Sequence, residues 1–202
     1  MHRRRRPPGN SNGRLALWLS WLTALGLLLL GGSSRAEPVP ATPPGQPVPI
    51  LTRSITFTNT HTGETVTARY FAGTYDPMAL AELNRVLRDH RTNEVGSMDP
   101  TLFDYLYDVA ASAGVEPHFE VISGFRSATS NAMLRQKSSG VSEKSQHLLG
   151  KAIDVRLRGV RTSRLRDLAL ELKRGGVGYY ERSDFVHLDT GRVRRWAGGP
   201  QK

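Results

Sequence analysis

The chain of 202 residues contains no cysteine. That absence excludes disulfide staples, thiolate metal ligands and lipid attachment at a leader cysteine. A metal site would have to be built from His, Asp or Glu. Histidine is itself sparse, with six in the chain. No internal repeat is visible, so a solenoid or propeller is not expected. A run long enough to span a membrane comfortably is also missing. Leu15 to Leu30 is apolar but broken by Ser20, Thr23 and Gly26. Its length of about 16 residues falls short of the roughly 20 that a spanning helix needs.

What stands at the N-terminus is the three-part pattern of a secretory leader. Arg3 to Arg6 give a positive start, the apolar run follows, and Ser34 and Ala36 supply small residues before a cleavage point. An uncleaved membrane tether is the rival reading. Residues 1–36 are therefore expected to be a signal peptide, and the protein to be exported and periplasmic. Glu37 to Pro49 carries six prolines, which makes an extended spacer that cannot join a packed core. The domain is expected over residues 50–202, large enough to bury a core without staples. The leader holds six of the 28 basic residues and no acid, so the net charge falls from +10 to +4 in the rest of the chain. The basic balance belongs mostly to the leader and gives no reason to expect a nucleic-acid partner. A mildly positive surface does suit an anionic polymer such as the cell wall.

The remaining pattern is mixed. Ser54–Asn59 and Thr65–Phe71 are rich in β-branched and aromatic residues around the turn Thr60–Glu64, which predicts a hairpin. Pro77 to His90 repeats Leu80, Leu83, Val86 and Leu87 at helical spacing behind a capping Asp76. Asp99-Pro100 opens a second helix that ends at Gly114. Phe119–Ile122, Ala152–Leu157, Val177–Tyr180 and Phe185–Leu188 read as strands. Asn131–Lys137 reads as a helical turn or two, and Arg161–Arg174 as an amphipathic helix closed by Gly175-Gly176. Helices and strands do not alternate regularly, so the class is α+β, with a small antiparallel sheet flanked by helices.

Chemistry concentrates in Ser145-Gln-His147-Leu-Leu-Gly150-Lys-Ala152-Ile-Asp154 and Asp184-Phe-Val-His187-Leu-Asp189. On one helix His147 and Asp154 would lie about 10 Å apart, too far to share an ion. Gly150 and the β-branched Ile153 and Val155 predict a turn leading into a strand instead, with Asp154 facing a cleft. His187 would complete the set if its strand lies alongside. Two imidazoles and one carboxylate suit a catalytic zinc, one per chain, with a fourth position open to water. Such water ionises near neutral pH and attacks carbonyl carbon. Taken singly, each of these residues has an ordinary structural explanation. The joint pattern favours a hydrolase.

Ser123-Gly-Phe-Arg126-Ser127, Ser145-x-His147-x-x-Gly150-x-Ala152-x-Asp154 and Gly176-Val-Gly-Tyr-Tyr180…Phe185-Val-His187-x-Asp-Thr-Gly191 resemble the murein endopeptidase K-like family. That family lies within the D-alanyl-D-alanine zinc metallopeptidase group, of lysostaphin and hedgehog type. The resemblance runs from about Arg53 to Trp196. It implies zinc held by His147, Asp154 and His187, and hydrolysis of peptide bonds in the stem peptides and cross-links of peptidoglycan. It also implies that Arg126 braces the developing oxyanion or pairs with a substrate carboxylate. The acid three positions before the last ligand is the base in relatives; here that is Asp184, where Glu is usual. Asp189 is the other candidate, unless it orients a ligand imidazole. A D-alanyl-D-alanine carboxypeptidase and a non-catalytic wall-binding module are the rival functions. The protein is expected to be a monomer. Arg192, Arg194, Arg195 and Trp196 read as a solvated basic end, and His61, His90 and His118 as surface or turn histidines.

Overall fold

The computed structural model describes residues 50–137 and 140–198. The expected leader (1–36) and proline-rich spacer (37–49) lie outside the described residues. Seven strands and four α-helices are found among them, with one 3₁₀ turn. The strands are β1 (Thr52–Asn59), β2 (Thr65–Ala72), β3 (His118–Ser123), β4 (Ala152–Leu157), β5 (Gly176–Tyr180), β6 (Phe185–Asp189) and β7 (Arg194–Ala197). The helices are α1 (Pro77–Val86), α2 (Pro100–Ala113), α3 (Ala128–Lys137) and α4 (Thr162–Leu172), and the 3₁₀ turn is Gln146–Leu149. No helix among the described residues is long and apolar enough to cross a membrane.

The α+β class is as expected. The sheet is neither small nor wholly antiparallel. Its seven strands run in the order β2-β1-β3-β4-β6-β5-β7. Two pairs, β1 with β3 and β5 with β7, are parallel. The first arises because α1 and α2 intervene between β2 and β3, so the chain crosses back and enters beside β1 in the same direction. The second arises from β7, a strand that the basic Arg192–Trp196 segment does not announce.

Strand alternation sorts the side chains by face. Ile153, Val155 and Leu157 of β4 and Val186 and Leu188 of β6 enter one hydrophobic core. Leu102, Phe103, Leu106 and Val109 of α2 and Leu165, Leu168 and Ala169 of α4 meet them there. Phe57 sits at its centre, 5.7 Å from Phe103 and 6.3 Å from Phe119 between ring centroids. Burying each such side chain contributes about 2–3 kcal/mol. Asp154, His187 and Asp189 occupy the opposite face of the same strands.

Three devices hold that opposite face in shape. Asp99 caps α2 through the Thr101 N–H, takes a bond from Thr190 Oγ1 (2.8 Å), and its own N–H donates to the Gly150 carbonyl (2.9 Å). One residue therefore ties α2 to the approach to β4 and the exit of β6. Gly150 closes the 3₁₀ turn at φ 64°, and a Cβ there would collide with the Ser97 carbonyl. A glycine is needed both for the left-handed conformation and for the close approach. Ser127 caps α3 by accepting the Ser130 N–H (3.1 Å). Buried Asp89 accepts both the Ser127 N–H (2.8 Å) and its hydroxyl (2.7 Å).

Candidate metal centre

β4 and β6 pair antiparallel with Asp154 directly opposite His187. The 3₁₀ turn before β4 delivers His147 to the same place, and the Arg126 N–H donates to the His147 carbonyl (3.2 Å), joining this turn to the end of β3. Three ligand atoms converge. His187 Nδ1 lies 2.9 Å from Asp154 Oδ1, His147 Nε2 lies 3.4 Å from that same oxygen, and the two ring nitrogens are 3.2 Å apart. Four bonds of about 2.05 Å to a tetrahedral ion place neighbouring ligand atoms about 3.3 Å apart. All three residues are buried, at 3%, 7% and 8% exposure for His147, Asp154 and His187.

The outward nitrogen of each imidazole is already engaged. His147 Nδ1–H donates to the Gly124 carbonyl at 2.7 Å, and His187 Nε2–H donates to Asp189 Oδ2 at 3.0 Å. Those bonds leave lone pairs on His147 Nε2 and His187 Nδ1, both facing a carboxylate oxygen. Three acceptors turned toward one point need a shared cation or an added proton. The donor set of two imidazoles and one carboxylate fits zinc.

The electrostatics agree with that need. Burial pushes the His147 imidazole toward its neutral form. Burial opposes charge on His187 as well, but Asp154 and Asp189 flank it and raise its pKa. Burial works against ionised Asp154, yet the two histidines hold its carboxyl far below the usual range.

Arg126 reaches the rim of this cluster, with Nη2 4.0 Å from Asp154 Oδ2 and Nη1 3.4 Å from Asn131 Oδ1. Its side chain is 12% exposed, and its buried Nε has no hydrogen-bond partner among the described residues. Trp196 lies against His187, with ring centroids 5.1 Å apart. Tyr180 stacks on Phe185 at 4.5 Å, as a wall beside the site.

The two acids nominated as bases part company. Asp189 is wholly buried and accepts five hydrogen bonds: Gly176 N, Gly191 N and Arg194 Nη1 on Oδ1, and His187 Nε2 and Arg194 Nη2 on Oδ2. Burial opposes its charge, and the bonds from His187 and Arg194 overcome it, so the carboxyl sits well below the usual range. Asp184 is not brought to the three ligands. It occupies the turn before β6 at φ 50°, its carboxylate accepts from Thr162 Oγ1 (2.8 Å), and it lies 3.3 Å from Arg156 Nε. Its side chain is 64% exposed. Among the other histidines, His61 and His90 stack at 3.7 Å, and His118 bonds Thr58 Oγ1. None of the three joins the cluster. Sequence reasoning missed Arg194, whose contact with Asp189 depends on β7 pairing, and the Gly124 carbonyl, which no side-chain pattern can reveal.

Residues 49–196 match the family model described as peptidoglycan L,D-endopeptidase MepK. The chain belongs to this family. Among MepK relatives, the Escherichia coli K12 protein named peptidoglycan L,D-endopeptidase MepK is 44% identical over 176 residues, which covers 87% of this chain and 94% of the relative. The Shigella flexneri protein of that name matches to the same extent. The Haemophilus influenzae protein, named probable peptidoglycan L,D-endopeptidase MepK, is 45% identical over 148 residues, or 72% of this chain and 80% of the relative. No solved structure matches significantly. The family match takes in His147, Asp154, His187, Arg126, Asp184, Asp189 and Arg194.

Proposed function

We propose that this protein is an exported, monozinc peptidoglycan endopeptidase that hydrolyses L,D peptide bonds in the cross-links of the cell wall. Membership of the MepK family makes it a cell-wall metallopeptidase. The observation that carries the rest is the convergence of His147 Nε2, His187 Nδ1 and Asp154 Oδ1, with each imidazole's other nitrogen already bonded.

His147, Asp154 and His187 would hold the zinc. When bound, it supplies a Lewis acid for the scissile carbonyl and lowers the pKa of a water molecule. The chain's own groups do the remaining work. Arg126 offers the positive charge of its guanidinium, at the rim of the cluster, to the oxygen on which negative charge develops. Asp184 would have to leave its Thr162 and Arg156 partners to take the proton from the attacking water and return it to the leaving amine. Of the two acids, Asp184 has the exposed carboxylate, held by one hydroxyl and one arginine. Asp189 is committed to five donors and instead orients His187. The substrate is a stem peptide or cross-link, met in the periplasm by a monomer. No nucleic-acid partner is expected, and no helix among the described residues is long and apolar enough to cross a membrane.

The test is to incubate the purified protein with cross-linked and linear muropeptides, with and without a chelator, and to identify the products by mass. The expected result is chelator-sensitive cleavage of cross-linked species, lost in His147→Ala and Asp154→Ala variants that stay folded. Release of terminal D-alanine alone would identify a carboxypeptidase. Binding to sacculi with no released peptide would identify a wall-binding module.

A further inference from the structure

β7 pairs in parallel with β5, Arg194 opposite Gly176 and Trp196 opposite Gly178. Both partners are glycines for a steric reason. A Cβ at Gly178 would enter the Trp196 indole, and one at Gly176 would enter the Arg194 guanidinium and the Asp189 carboxylate. The strand thereby lays two large side chains flat over the face that carries the metal ligands. Arg194 grips Asp189 with both ends of its fork, Nη1 to Oδ1 at 3.0 Å and Nη2 to Oδ2 at 2.7 Å. Its guanidinium carbon lies 4.9 Å from the Trp196 ring centroid, and the Trp196 Nε1–H donates to the Tyr180 hydroxyl at 3.1 Å. The same ring rests against His187.

Asp189 Oδ2 is therefore shared between the His187 Nε2–H and Arg194. If the arginine is removed, that oxygen keeps only the imidazole, while Oδ1 keeps two backbone N–H groups. The plane of the carboxylate is then no longer fixed by a planar, bidentate partner. The orientation of His187, and so the direction of its Nδ1 lone pair, depends on that plane.

We propose that Arg194 is a positioning residue of the metal centre. It locks Asp189, Asp189 locks His187, and the result is a preformed ligand set. The inference rests on the zinc reading of the site. Outer partners of metal-bound imidazoles typically alter metal affinity or activity by about 10- to 100-fold when removed.

The experiment measures zinc dissociation constants by competition with a chromophoric chelator. It compares the wild-type protein with Arg194→Ala, Arg194→Lys and Arg195→Ala, and records thermal unfolding of each zinc-free protein in parallel. Arg195 is the exposed neighbour on the same strand. The expected result is about 10- to 100-fold weaker zinc binding in Arg194→Ala. Arg194→Lys, which keeps the charge and loses the fork, should be weakened less, and Arg195→Ala should bind as wild type. In the zinc-loaded wild type, the proton magnetic resonance spectrum should show a hydrogen-bonded His187 Nε2–H that broadens or shifts in Arg194→Ala. Wild-type affinity in Arg194→Ala, with or without a lower melting temperature, would overturn the proposal and leave Arg194 as a clamp on β7 alone. If Arg194→Ala does not fold, Arg194→Lys decides, and wild-type affinity there overturns the proposal. A wild-type protein that takes up no zinc would instead sink the metal centre itself.

Discussion

At the scale of single residues, two carboxylates five apart in sequence stand in opposite surroundings. Asp189 is sealed under β7 with every lone pair engaged, whereas Asp184 stands in a turn with most of its surface in water. Substitutions that keep shape and remove charge separate the two. With Asp184 as the proposed base, Asp184→Asn should lower kcat by about 10²-fold or more, the usual worth of a general base, with zinc affinity unchanged. Asp189→Asn should weaken zinc binding by about 10- to 100-fold. Steady-state kinetics on a defined muropeptide, together with zinc competition, read both. Swapped outcomes would reverse the assignment. The convergence of His147, Asp154 and His187 was legible in the sequence because each stands beside a change of pattern: a glycine turn, or a polar residue in an apolar strand. The bonds that orient the triad were less so. Gly124 acts through its carbonyl, and Arg194 meets Asp189 through a strand pairing that composition does not show.

At the scale of elements, the site is hung on turns and caps rather than on the strands alone. Arg126 sits between β3 and α3, and its place depends on Asp89 gripping Ser127, the residue that caps α3. Asp89→Ala leaves the buried Ser127 N–H and hydroxyl without their acceptor. It should cost about 2 kcal/mol of stability, read by urea denaturation. A loss near zero would show that water replaces the carboxylate. Most of these elements could be read from sequence. The hairpin, α2 and α4 follow their hydrophobic periods, and Asp76-Pro77 and Asp99-Pro100 mark helix starts by capping chemistry. The α1 pattern runs past the helix, because Leu87 enters the core after the helix has ended at Val86. β7 escaped because Arg and Trp on a short edge strand look like a solvated tail until β5 supplies glycines for them to cover.

At the scale of the whole molecule, the sheet divides the chain into a dry side and a working side. Helices α1, α2 and α4 pack on the first, and the ligands, Arg126 and β7 share the second. Sequence pattern gave the faces of most strands, but not the strand order, because long-range pairing leaves no local signature. The stacked pair His61 and His90 bears on stability as a function of pH. Burial, Arg91 and the stacked His61 together lower the His90 pKa from 6.5 to about 4, against the pull of Asp89. Its folded pKa lies below the unfolded one, so the folded state favours neutral imidazole. That contribution is complete above about pH 6.5 and is lost as pH falls toward 4. The melting temperature should therefore fall between those limits, and less steeply in His90→Gln. Identical slopes for the two proteins would refute it.

The claim on which everything else depends is that three side chains, brought together from a turn and two strands, hold one ion. Native mass spectrometry of the purified protein after exposure to zinc and desalting tests it directly. The account predicts one zinc per chain, and none in a folded His187→Ala variant. A wild-type protein that stays zinc-free, or a variant that keeps a full equivalent, would contradict it.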